Sequence, residues 1–242
     1  MKIAELFAKK AKDNWNAPGV TLAFLGDSVT QGCFELYKTS PDSVDTVFDK
    51  DGAYHAHLAR MLSVLFPSVP VNIINAGVSG SNAAHGLERL ERDVISHHPD
   101  LAVVCFALND CGGGPEKLGD YTAALDKIFA RLAEENIETI FMTPNMMCTN
   151  VSHHYMEDKL FRGIAESCSQ LQNGGLLDAY IDAAKELCAK RGVTVCDCYS
   201  KWKALARSGA DVTELLANKV NHPTREMNKL FAYSLLETMF SC

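Results

Sequence analysis

The feature that most constrains this chain is a regular alternation of short, nearly continuous apolar runs with longer segments of helical period. Apolar runs at residues 20–25, 71–75, 101–107, 139–142 and 193–196 are each too short for a buried helix. They show little of the in–out alternation of a half-solvated sheet, so they read as parallel strands buried on both faces. Helical patterns lie between and after them, at about residues 53–65, 83–96, 121–135, 176–190 and 223–240. Five strands with intervening helices predict an α/β fold: a three-layer α/β/α sandwich around a five-stranded parallel sheet. No linker, internal repeat or low-complexity tract interrupts the pattern, so residues 1–242 are expected to form one domain.

In such a sheet, ligands bind beyond the carboxyl ends of the strands. The segments carrying chemistry are therefore expected at 26–32, 76–82, 108–114 and 143–150, and in the loop before Pro223. After the first strand, Gly26-Asp27-Ser28 permits a sharp turn that leaves Ser28 at the start of a helical turn, where an alkoxide would feel the positive helix end. The bland reading of this tripeptide is a helix N-cap. After the second strand, two glycines and small polar residues between Gly77 and Asn82 suit a nest of backbone N–H groups, or simply a flexible capped loop. After the third, Asn109 offers a side-chain amide donor or an Asx turn. His222, held extended by Pro223 at the mouth of the terminal helix, offers a base near neutral pH or a plain surface histidine. Each segment is weak alone. Together they bring a nucleophile, anion-stabilising donors and a base to one edge of one sheet.

These blocks resemble the SGNH (GDSL-type) hydrolases, over essentially the span from Gly26 to Pro223. The resemblance implies a flavodoxin-like SGNH hydrolase fold. It implies Ser28 as nucleophile and His222 as general base, with the oxyanion held by the N–H groups of Ser28 and Gly80 and by the Asn109 amide. The implied reaction is hydrolysis of a short-acyl carboxylic ester through an acyl-enzyme, with a small-molecule or carbohydrate acetyl ester as substrate. Thioesterase or lysophospholipase activity, or a non-catalytic ligand-binding role on the same fold, are the alternatives. No metal or organic cofactor is called for. There are two departures. Ala107 stands where the family has glycine, a small-for-small change expected to matter little. Lys219 stands where the family's acid usually lies, three residues before the histidine. His222 is then oriented by a backbone carbonyl near Lys219 or by the Asn218 side chain, giving a Ser–His dyad, or by an acid from elsewhere such as Asp197 or Asp211. The dyad is favoured.

Composition narrows the partners. A net charge of −7 disfavours nucleic acid, and no apolar stretch reaches the roughly 20 residues that span a bilayer. The polar N-terminal helix at residues 1–15 has no signal-peptide core, which points to the cytoplasm unless a leader has been removed. Nine scattered cysteines, among them Cys196, Cys198 and Cys242, fit buried thiols in a reducing compartment better than disulfides or a zinc site. The pairs His55/His57, His97/His98 and His153/His154 read as solvated surface residues. Asp27 and Asp110 are expected to tie loops through backbone N–H groups. The long stretch 146–173 is read as either a substrate wall or lid, or local packing.

Overall fold

The computed structural model describes residues 1–241. The elements in chain order are α1 (Lys2–Lys12), β1 (Val20–Gly26), α2 (Ser28–Gln31), β2 (Cys33–Ser40), β3 (Ser43–Phe48), α3 (Tyr54–Leu65), β4 (Val71–Gly77), α4 (Ala83–Asp93), β5 (Leu101–Cys105), α5 (Leu118–Glu134), β6 (Glu138–Met142), α6 (Lys159–Asn173), α7 (Leu176–Arg191), β7 (Thr194–Cys196), α8 (Cys198–Arg207) and α9 (Arg225–Phe240). The expected fold is present. Five parallel strands form one sheet in the order β4-β1-β5-β6-β7. Helices α3 and α9 pack together on one face, while α4, α5 and α7 line the other.

The continuous apolar runs have the burial they imply. Every residue of β5 is buried, and so is all of β1 except Thr21. Strand β4 lies at the sheet edge and is only partly covered. The order of the strands reverses at β1, which has β4 on one side and β5 on the other. That reversal opens a crevice at the carboxyl ends of β1 and β5, the place where doubly wound sheets hold their ligands.

Four regions depart from the expectation. Residues 33–48, for which the apolar pattern marked no element, form an antiparallel hairpin of β2 and β3 outside the main sheet. The stretch 146–173 is not all irregular, because Asp158 caps a 15-residue helix, α6, through the Leu160 and Phe161 N–H groups. A helix follows β7 directly, capped by Asp197. The terminal helix begins at Arg225 under a Thr224 cap, two residues after Pro223, which itself pairs with Leu216 in an isolated bridge.

The cysteines among the described residues are all free, and all but Cys168 are buried; Cys242 lies outside the described residues. No helix among the described residues is long and apolar enough to cross a membrane.

Candidate active site

Ser28 owes its position to two close backbone approaches. Strand β1 ends at Gly26, paired to Gly77 of β4 and Cys105 of β5. The chain then turns at once into α2. A Cβ on Gly77 would sit 2.2 Å from the Gln31 nitrogen, and one on Gly26 would sit 2.1 Å from Thr30 Oγ1. Only glycine lets this one-turn helix lie so tightly on the strand ends. Asp27 caps the turn by accepting the Val29 N–H at 2.9 Å, and Ser28 is its first residue. As expected, Asp27 binds backbone N–H. Burial pushes its carboxyl up to about 7.

His222 comes to the same point from the far end of the chain. Its Nε2 lies 2.9 Å from Ser28 Oγ, and its Nδ1 lies 3.0 Å from the carbonyl oxygen of Phe34. A carbonyl only accepts, so Nδ1 carries the proton and Nε2 presents its lone pair to the serine hydroxyl. That is the tautomer a general base for Ser28 requires. Both residues are only 5% exposed. Burial holds the His222 imidazole below its ordinary pKa, partly offset by the bond to Phe34.

The group that orients His222 is therefore a backbone carbonyl, but of Phe34 at the start of the hairpin and not one near Lys219. Lys219 turns away to Glu214, at 2.7 Å. Asn218 acts on the loop and not on the ring. Its side-chain oxygen accepts the N–H groups of Val220, Asn221 and His222. Asp197 is bound to Lys185, Ser200 and Thr143, and Asp211 caps Thr213. Neither of these acids hydrogen-bonds the imidazole.

The loops that carry the expected oxyanion donors are tied to the Ser28 turn, because the Val78 N–H donates to Gly26 O and the Ser79 N–H to Gln31 Oε1. Neither the Ser28 N–H nor the Gly80 N–H has an acceptor among the described residues. Gly80 has φ +73° with open space where a side chain would project. Asn109 spends one amide hydrogen on Ser81 O at 2.8 Å, which fixes the amide against the Gly80 loop and leaves the other hydrogen to donate. Asp110 accepts the Ala83 N–H at 2.9 Å and so ties the same loops together. Its second oxygen is buried without a partner, and burial raises this carboxyl to about 6. A cleft of about 530 Å³ is lined by Gly80, Ser81 and Arg89, and one of about 320 Å³ by Asn82, Asn109 and Asp110.

Ala107 is less innocuous than its size suggested. It adopts φ +147°, outside the range L side chains favour, which accounts for a glycine preference there.

Several positioning groups had no obvious mark in the sequence. Buried Arg89 donates to the carbonyls of Gly26 and Ala76 and to Ser81 Oγ, joining the nucleophile turn to the Gly80 loop. A signal did exist, since Arg89 sits beside Leu90 on the buried side of α4. His55, read as a surface residue, is 4% exposed. It lies against Phe24 and Tyr54 and bonds the Thr30 carbonyl of α2 at 3.0 Å. It is buried because α3 turns this face onto β1. In the stretch after β6, Asn145 is fully buried and donates to Asn221 O, while the Tyr155 hydroxyl donates to Asn218 O. These contacts brace the His222 loop.

A doubly wound sheet that sets a Ser–His pair beside unengaged N–H donors at its switch point has the layout of a serine-type acyl hydrolase. The chain belongs to the GDSL-like lipase/acylhydrolase family, whose model matches residues 24–230. An acetylxylan esterase of Geobacillus stearothermophilus is 27% identical over 92 residues, which is 38% of this chain and 40% of that protein's length. The fold is shared with a catalytic mutant of an acetylxylan esterase from the same organism (TM-score 0.69, 20% identity, 92% of this chain and 95% of that one). It is also shared with a gut microbial diltiazem-metabolizing enzyme (TM-score 0.67, 17% identity, 92% of this chain but 47% of that one).

Proposed function

We propose that the protein is a carboxylic ester hydrolase working through an acyl-enzyme on Ser28, and that its substrate is a short-acyl ester of a carbohydrate. The observation that carries this is the Ser28–His222 contact at 2.9 Å, with the far ring nitrogen committed to a carbonyl. In the first half-reaction His222 Nε2 takes the hydroxyl proton as Ser28 Oγ attacks the ester carbonyl. The developing oxyanion is held by the Ser28 and Gly80 N–H groups and the Asn109 amide. The Nε2 proton then goes to the leaving alcohol. In the second half-reaction water attacks the acyl carbon as Nε2 takes its proton, and the carbon–Oγ bond then breaks as Nε2 returns that proton to Ser28 Oγ, releasing the acid.

The substrate class rests on three supports. The near-complete burial of Ser28 and His222 favours a small acyl group over a bulky one. The clefts beside the Gly80 and Asn109 loops are lined mostly by polar side chains, which suits a polar alcohol portion. Acetylxylan esterases are similar in sequence and in fold. Buried free thiols suit a reducing compartment, and we infer a cytoplasmic location on that basis.

The test is turnover of p-nitrophenyl acetate and of acetylated xylo-oligosaccharides by wild type and Ser28→Ala. Loss of turnover in the variant by about 10³-fold or more is expected, together with an acetyl group trapped on the wild-type peptide that contains Ser28. Equal rates in the two proteins would overturn the reading and leave a ligand-binding protein on a hydrolase fold.

A further inference from the structure

We propose that Arg225 is a positioning residue that holds the Phe34 carbonyl against His222 Nδ1, replacing an acidic side chain with a clamped piece of backbone. This rests on the reading of Ser28 and His222 as nucleophile and base.

The need for a clamp follows from where Phe34 lies. Its carbonyl belongs to the first residues of β2, a strand of a two-stranded hairpin outside the main sheet, with an exposed far end. The hairpin root is closed by Asp49 N–H donating to Gly32 O at 2.8 Å. A hairpin of two strands is marginal by itself, so the carbonyl it presents needs an anchor in the body of the protein.

Arg225, the first residue of α9 and three residues after His222, supplies that anchor. Its two Nη groups donate to both Glu35 carboxylate oxygens, at 2.7 and 3.2 Å. Its Nε donates to Asp49 at 2.6 Å, so one guanidinium joins the first strand of the hairpin to the residue that follows the second. The guanidinium carbon lies 4.2 Å from the centre of the buried Phe34 ring. The fork, the stack and the second carboxylate together fix Phe34 in position and in rotation, as only a planar guanidinium can. Gly52 closes the back of the clamp. A Cβ there would come within 2.8 Å of Arg225 Cγ and 3.1 Å of the Phe34 ring. The charged groups paired with the guanidinium are Glu35 and Asp49.

The experiment compares wild type, Arg225→Ala and Arg225→Lys, the last keeping the charge without the fork in case the alanine variant fails to fold. Two readouts are needed. The first is the His222 Nδ1–H resonance by ¹⁵N-edited proton NMR, which reports the bond to Phe34 whether or not the protein turns over any ester. The second is kcat and KM on p-nitrophenyl acetate. Wild type should show a downfield, exchange-protected Nδ1–H. That signal should be lost in Arg225→Ala and weakened in Arg225→Lys. The value of kcat should fall at least about tenfold while KM stays within about twofold, because orientation of the base matters in the transition state and little for binding. A folded Arg225→Ala that keeps either the resonance or the wild-type kcat overturns the proposal. If Ser28→Ala proves as active as wild type, the hydrolase reading falls by itself, and the resonance still decides what Arg225 does.

Discussion

Gly77→Ala tests how the nucleophile is placed. The added methyl would lie 2.2 Å from the Gln31 nitrogen, 2.6 Å from the Thr30 carbonyl carbon and 2.7 Å from Gln31 Cα, all backbone atoms of α2. Since an ordinary contact begins near 3.4 Å, α2 or β4 must retreat by roughly an ångström. Strand β4 is hydrogen-bonded along β1, whereas α2 is one turn long, so the helix gives way. Ser28 is its first residue and now stands 2.9 Å from His222. A displacement of that size removes the hydrogen bond, and a 1 Å error of this kind can cost about 10²-fold in rate. Overpacking should also cost about 1–3 kcal/mol of stability, which is several degrees of Tm for a chain this long. The assay is kcat/KM on p-nitrophenyl acetate alongside a thermal melt. Gly119→Ala is the control, since its Cβ would meet nothing within 4 Å. A folded Gly77→Ala protein with kcat/KM within about twofold of wild type would refute the reasoning.

Other outcomes follow from the same geometry. Asn109→Ala should lower kcat about 10²–10³-fold with little change in KM, and a pure KM effect would remove the amide from the oxyanion site. The base must be neutral to act, and burial lowers its pKa. The acid limb of kcat/KM should therefore lie below pH 6.5, the ordinary histidine value, and a midpoint at or above it would contradict the buried dyad. His55 is held neutral down to about pH 4 by burial. Its contribution to stability is full above 6.5 and is lost as pH falls toward 4, by roughly 3 kcal/mol, while Asp27 and Asp110, with raised pKa values, act in the opposite sense. Urea midpoints of His55→Gln should accordingly fall less than those of wild type between pH 6.5 and 4.5. Ala107→Gly should relieve the backbone at φ +147° and raise Tm by roughly 2 °C; a lower Tm would mean that the methyl's packing outweighs the strain.

What could be read in the sequence follows from how each feature is encoded. The strands of the main sheet were legible because burial on both faces demands unbroken apolar runs, such as 101–105. The pair Ser28 and His222 was legible because a nucleophile and a base need particular side chains, each beside a turn residue, Gly26 or Pro223, that leaves its own mark. The hairpin was not, because β2 reads Cys-Phe-Glu-Leu-Tyr-Lys-Thr-Ser and loses burial along its length, with no apolar face to declare it. Phe34 was invisible for a deeper reason: its part is taken by a carbonyl, which every residue possesses. Arg225 was hidden in turn because its partners, Glu35 and Asp49, lie 190 and 176 residues away.

Exchanging a carboxylate for a carbonyl divides the acid's two tasks. Holding the wrong tautomer costs a serine triad roughly 10⁴-fold, and on the proposed roles that loss is avoided here, because the Phe34 carbonyl accepts from Nδ1 and fixes the same tautomer. What is given up is charge. The imidazolium formed as Ser28 loses its proton is buried beside a dipole and not an anion, so it is less stable than in a triad by about 1.4 kcal/mol for every unit by which its pKa is lower. Each such unit takes up to about tenfold from the proton-transfer step and moves the working range to lower pH by the same unit. The dyad therefore exchanges turnover at neutral pH for a base that remains unprotonated in mild acid.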